Sequence, residues 1–154
     1  MKYTIDKAKE EMKRVDHLFF VSLKYTKTVD VIKSIIERMI NALEFSIGSL
    51  FLYMQKKKKI KEIPNNPVNK CIEIKKLFKE DEQFLADIDL YILLRKISKA
   101  EYTCSKEFRK HVTMSAKVDD GIMDIKVDTI KEYFDRTKNF VEKAYNLIHG
   151  IKDE

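Results

Sequence analysis

Turn-forming residues are scarce in this chain: three glycines and two prolines among 154 residues. Average usage would supply about 11 and about 8. Sandwiches and barrels reverse direction every few residues and need such residues at their turns. Most folds of those classes are excluded, as are collagen-like and Gly/Pro-rich disordered chains. What remains is a few long helices with few connections. The length fits one domain over 1–154, and 44% apolar residues supply one core.

Apolar spacing locates the helices. Thr4 is an N-cap residue with Asp6 in the first turn. Ile5, Ala8, Met12, Val15, Phe19 and Leu23 then recur at steps of three and four, the helical period, to an end near residues 24–27. Thr28 and Asp30 open a second helix whose stripe runs from Val29 through Ile36, Leu43 and Leu50 to Met54 and dissolves into Lys56–Lys59. Pro64-Asn65-Asn66-Pro67 is the strongest loop signal. Asn66 caps a short third helix with Pro67 at its first position and Val68, Cys71, Ile72 and Phe78 as its buried side. A fourth helix is expected from about Asp81 to Arg109, with Phe84, Leu85, Ile88, Tyr91, Ile92, Ile97 and Tyr102 inward.

The pattern changes at His111. Residues His111–Lys117 and Ile122–Val127 partly alternate around Asp119-Asp120-Gly121, a hairpin turn signal. Asp128 is expected to cap a last helix with Ile130, Phe134, Val141 and Ile148 inward, ending at Gly150. The expected fold is all-α: an antiparallel four-helix bundle with one short extra helix and a small β-hairpin before the last helix.

The net charge is +6 and the pI near 9.1, a balance that biases partners toward polyanions. Most of the lysines suit a solvated shell. The five arginines, Arg14, Arg38, Arg95, Arg109 and Arg136, carry more information, because a guanidinium on or near a patterned face needs a specific partner.

Cys71 and Cys104 lie far apart without metal-ligand spacing, and two buried free thiols in a cytoplasmic protein are expected. The N-terminus from Met1 enters an amphipathic pattern directly rather than a leader. The most apolar stretch, residues 39–54, contains Asn41 and Glu44 and is too short and polar to span a membrane. His17, His111 and His149 form no i, i+4 pair, and no Glu-x-x-His pair exists. Neither metal nor cofactor is expected.

The segment Leu93 to Tyr102 carries the sharpest signal. Arg95 follows an apolar stripe, and Tyr102, seven residues later, is expected on the same helical face about two turns on. The structural reading pairs Arg95 with an internal acid such as Glu37 or Glu44. The functional reading comes from a resemblance. The segment resembles the Arg-x4-6-His-x-Tyr motif of the HEPN superfamily of small helical domains, with Arg95 and Tyr102 at the motif positions and Ala100 where the histidine belongs. The resemblance implies a homodimer that binds RNA or a nucleotide. Active members are metal-independent ribonucleases, and an active version of this chain would use Arg95, Tyr102 and His111. The departure at Ala100 removes the proton carrier and argues for a binding-only member.

Lys106, Arg109, Lys110 and His111, with Phe108 and Tyr102 near, add cations interleaved with aromatics, which suits single-stranded nucleic acid. The expected nucleic-acid-binding residues are therefore Arg95, Lys96, Lys99, Tyr102, Lys106, Arg109, Lys110 and His111. The competing class is a partner-binding subunit, of a toxin–antitoxin-like pair for example. It would show Phe20, Ile74 and Leu94, which lie off the main stripes, as one exposed face.

Overall fold

The computed structural model describes residues 4–150. Residues 1–3, on which the expectation about the leader bears, and 151–154 lie outside the described residues. The described residues are mostly helical, forming five helices and a small three-stranded antiparallel sheet. Helix α1 spans Ile5–His17 and continues through a π-helical turn, Leu18–Ser22, into a last turn at Leu23–Tyr25. It is followed by α2 (Val29–Lys56), α3 (Pro67–Leu77) and α4 (Glu82–Lys99). Strands β1 (Tyr102–Ser105), β2 (Thr113–Val118) and β3 (Gly121–Ile125) precede α5 (Val127–Ile148).

Capping chemistry sets the helix starts. The side chains of Thr4, Thr28, Asn66 and Asp81 each accept a backbone N–H from their helix's first turn, satisfying donors that have no partner inside the helix. Pro67 occupies the first helical position of α3, as expected. The last helix differs: its N-cap is Lys126, whose N–H donates to the Thr129 hydroxyl, 3.2 Å away. Asp128 therefore lies in the first turn rather than at the cap, where its charge complements the helix dipole.

Helix α2 is the organising element. At 28 residues it is about 42 Å long, and it packs against α1, α4 and α5. Its face from Val29 to Phe51 is buried. Two buried acids brace this core. Glu11 accepts from Arg14 at 3.2 Å and Arg38 at 3.3 Å. Asp87 meets Arg136 at 3.3 Å, and Arg136 also donates to the Ala86 carbonyl at 2.9 Å. Burial pushes the Asp87 carboxyl up, against the hydrogen bond from Gln83 and the charge of Arg136.

The fourth helix stops ten residues before its expected end, at Lys99. Ala100 turns extended, and Tyr102 to Ser105 pair with β2 in the register Tyr102↔Ala116 to Ser105↔Thr113. The expected hairpin thus supplies two of the three strands of a sheet in the order β1-β2-β3, and β2 starts at Thr113 rather than at His111. Asp119 and Asp120 both adopt left-handed backbone, with φ of 47° and 65°, as a two-residue hairpin loop demands. Met114, Ala116 and Ile125 bury the inner side of the sheet, which lies on α4 and α2.

The short third helix is turned differently from the expectation. Cys71 and Ile74 are buried, but Val68 and Ile72 are 66% and 50% exposed. Phe78, just past its end, stacks on Phe84 of α4 with ring centroids 4.2 Å apart. Cys104 also departs from the expected burial and lies exposed on β1. No helix among the described residues is long and apolar enough to cross a membrane.

Candidate functional site

The residues expected to bind nucleic acid fall into two groups. Arg95, Lys96 and Lys99 project from the last two turns of α4 into a groove of about 360 Å³ between α4 and α3. Lys106, Arg109, Lys110 and His111 are exposed on the loop joining β1 to β2. Tyr102 belongs to neither group. It sits half-buried on β1 with the Lys33 ammonium 4.7 Å from its ring centre. The helical spacing that would have put it on the Arg95 face does not exist, because the chain is extended there.

The groove is formed by two helical stripes facing each other. Val68, Cys71, Ile72 and Lys75 line one wall, and Tyr91, Ile92, Arg95, Lys96 and Lys99 the other. Arg95 is tied to the Tyr91 hydroxyl, to which it donates at 3.0 Å. Its guanidinium also sits 5.7 Å from the centre of that ring. Among the described residues no carboxylate forms an ion pair with Arg95. Glu37 and Glu44 are both exposed, and Glu44 reaches Arg95 only through its longer-range field. The structural pairing considered for Arg95 is therefore replaced by a tyrosine contact. Three of the five arginines, Arg14, Arg38 and Arg136, are held by buried acids.

The groove's other cations differ in freedom. Lys75 is paired with Asp89, and Lys96 with Asp119 on the β2–β3 turn at 2.9 Å. Lys99 has no ion-pair partner among the described residues. The Tyr91 phenol is pushed up to about 12, mainly by burial, against the pull of Arg95. Burial also raises the Cys71 thiol. Both groups hold their protons at neutral pH, so the groove offers charge and apolar contact rather than a proton acceptor.

The loop region has another character. Phe108 and Tyr25 are 75% and 78% exposed. The Phe108 N–H donates to the Lys27 carbonyl at 2.6 Å, so the loop is tied to the α1–α2 connection two residues from Tyr25. Lys24 lies 5.8 Å from the Tyr25 ring centre, and Lys27 donates to the Lys24 carbonyl. Lys106, Arg109 and Lys110 flank Phe108 along the exposed loop, as Lys24 and Lys27 flank Tyr25. Two acids, Asp30 and Glu107, lie close enough to act on the Cys104 thiol at the edge of this region.

The loop backbone is strained. Lys106 and Phe108 have φ of 54° and 65°, a region costing about 1–2 kcal/mol for a residue with a side chain. The bond to Lys27 and the Arg109 N–H to Lys106 carbonyl contact, 3.3 Å, hold it there. A large apolar ring held outward at such a cost buries nothing in the fold, and strain of this kind concentrates at functional sites.

Sequence reasoning named the loop cations but missed Tyr25, Lys24 and Lys27, which lie about 80 residues away and enter only through the Lys27–Phe108 hydrogen bond. It also read the groove residues Val68, Ile72 and Ile92 as core. Of the three residues considered for a partner face, Ile74 and Leu94 are fully buried and Phe20 alone is exposed. No protein-family model, no curated protein and no solved structure matches this chain.

Proposed function

We propose that this protein binds single-stranded RNA through the patch formed by Tyr25, Phe108 and the surrounding cations, without cleaving it. The observation that carries the reading is the Phe108–Lys27 hydrogen bond, which joins two outward-facing aromatics and the flanking lysines and arginine into one surface. Bases stack on exposed rings while cations neutralise phosphates, a combination tolerant of sequence. The same reading keeps the HEPN-like resemblance as a proposal. Its motif arginine, Arg95, lies in the groove, and its motif tyrosine, Tyr102, lies on β1. Arg95, Tyr102 and His111 sit on three different elements, and this favours binding over ribonuclease chemistry. An antiparallel arrangement of α1, α2, α4 and α5, a homodimer and a cytoplasmic location belong to the same proposal.

The test is fluorescence anisotropy with a labelled 12-nucleotide oligouridine across a series of salt concentrations. Saturable binding that weakens steeply with salt, and weakens further in the double variant Phe108→Ala/Arg109→Gln, supports the reading. Binding that ignores salt, or that this double variant leaves unchanged, overturns it.

A further inference from the structure

The groove between α3 and α4 has a different chemistry from the RNA patch, and the geometry points to a second ligand: an aliphatic monocarboxylate. The inference uses no residue of the Tyr25–Phe108 patch; Arg95, Lys96 and Lys99, which the sequence led us to expect on nucleic acid, line this groove instead. Val68 and Ile72 are exposed although they sit on a helix whose other face is buried. With Ile92 opposite they make walls of branched alkyl side chains, which match an alkyl chain rather than a flat base. The groove volume, about 360 Å³, falls within the range of small-molecule sites, roughly 300–1,000 Å³.

The polar groups of the groove select the head group. Arg95 is positioned by Tyr91, and that single contact uses one of its five N–H donors. The rest are open to a carboxylate, which a guanidinium accepts in a two-point geometry. Lys99 adds a second unpaired cation. The N-terminal turn of α3, at Pro67 and Val68, lines the same groove and contributes the positive end of an 11-residue helix. The Val68 and Asn69 N–H groups are already bonded to the Asn66 side chain, so the helix adds positive potential while Arg95 and Lys99 supply the donors, which offers little to the mixed donor and acceptor edge of a nucleobase. An anion with an apolar tail satisfies both halves of the groove.

Isothermal titration with sodium decanoate tests this directly, with acetate and 1-decanol as the head-only and tail-only comparators. The expected result is one saturable decanoate site, with acetate and decanol each at least tenfold weaker. Ile72→Glu and Arg95→Gln should each weaken decanoate at least tenfold. Ile72 is an exposed position, so its variant keeps the fold, which circular dichroism checks. RNA affinity of both variants should stay within twofold of the parent, which separates this inference from the RNA reading. Absence of saturable decanoate binding up to millimolar concentration overturns it. So does decanol binding as tightly as decanoate, or an unchanged site in Ile72→Glu. A self-association that Ile72→Glu abolishes, with no decanoate binding, would give the groove to a second copy of the chain and also overturn it.

Discussion

The α3–α4 groove and the β1–β2 loop draw on the same residue types, lysine and arginine, and organise them in opposite ways. In the groove, regular helices carry the cations, Tyr91 fixes the arginine, and aliphatic side chains cover the walls. In the loop, strained backbone carries the cations, and the apolar surface is aromatic and turned to solvent. Charge alone does not distinguish the two regions. What surrounds the charge does: alkyl walls select a tail, and open rings select a stack of bases.

The comparison can be broken most decisively at the loop cations. Replacing Lys106, Arg109 and Lys110 together by Gln should lower the log–log salt slope for oligouridine by about 2, since each single-strand phosphate contact contributes about 0.7. At 0.1 M salt that corresponds to about a hundredfold loss of affinity, read by anisotropy. The decanoate site should be untouched. A slope unchanged by the triple variant would place the RNA elsewhere.

A smaller effect is expected from Phe108→Ala. Loss of one stacking ring costs about 1–3 kcal/mol, or roughly thirtyfold in affinity at the middle of that range. The ring is 75% exposed, so the thermal midpoint should not fall, and relief of the left-handed strain at position 108 can raise it with Gly in place of Ala. Arg95→Gln sharpens the contrast in the other direction. It should change RNA affinity by less than twofold, and a loss as large as that of the triple loop variant would merge the two regions into one site.

The smallest effect is one of pH. The Tyr91 phenol, at about 12 rather than 10, is stabilised in its neutral form by the fold. Its contribution is fully present below pH 10 and is lost as pH rises through 12. Urea unfolding midpoints measured across that interval should fall less steeply in Tyr91→Phe. Tyr133 and Cys71 are raised in the same sense, so a residual slope remains. An identical slope in the variant would contradict the burial of this hydroxyl.

Local signals in the sequence were legible where local physics decides. Thr4, Thr28, Asn66 and Asp81 mark helix starts because their side chains bond within one turn, and the stripe of α2 reads directly as its buried face. The end of α4 was not legible. Nothing before Ala100 signals a stop, and the extended state of Tyr102–Ser105 depends on pairing with β2 some ten residues on. The exposure of Val68 and Ile72 was hidden for a related reason. Helix α3 carries apolar residues on two sides, and only the position of α4 decides that Cys71 and Ile74 face the core. The loop cations were legible as charge interleaved with an aromatic, whereas Tyr25 entered the site through a contact no spacing encodes.

The most direct measurement of the central claim is a backbone amide NMR titration of the labelled protein with the 12-nucleotide oligouridine. The account predicts shifts at Lys24–Lys27 and Lys106–His111, with Val68, Ile72 and Arg95 unmoved. Shifts concentrated along the groove, with the loop silent, would contradict it.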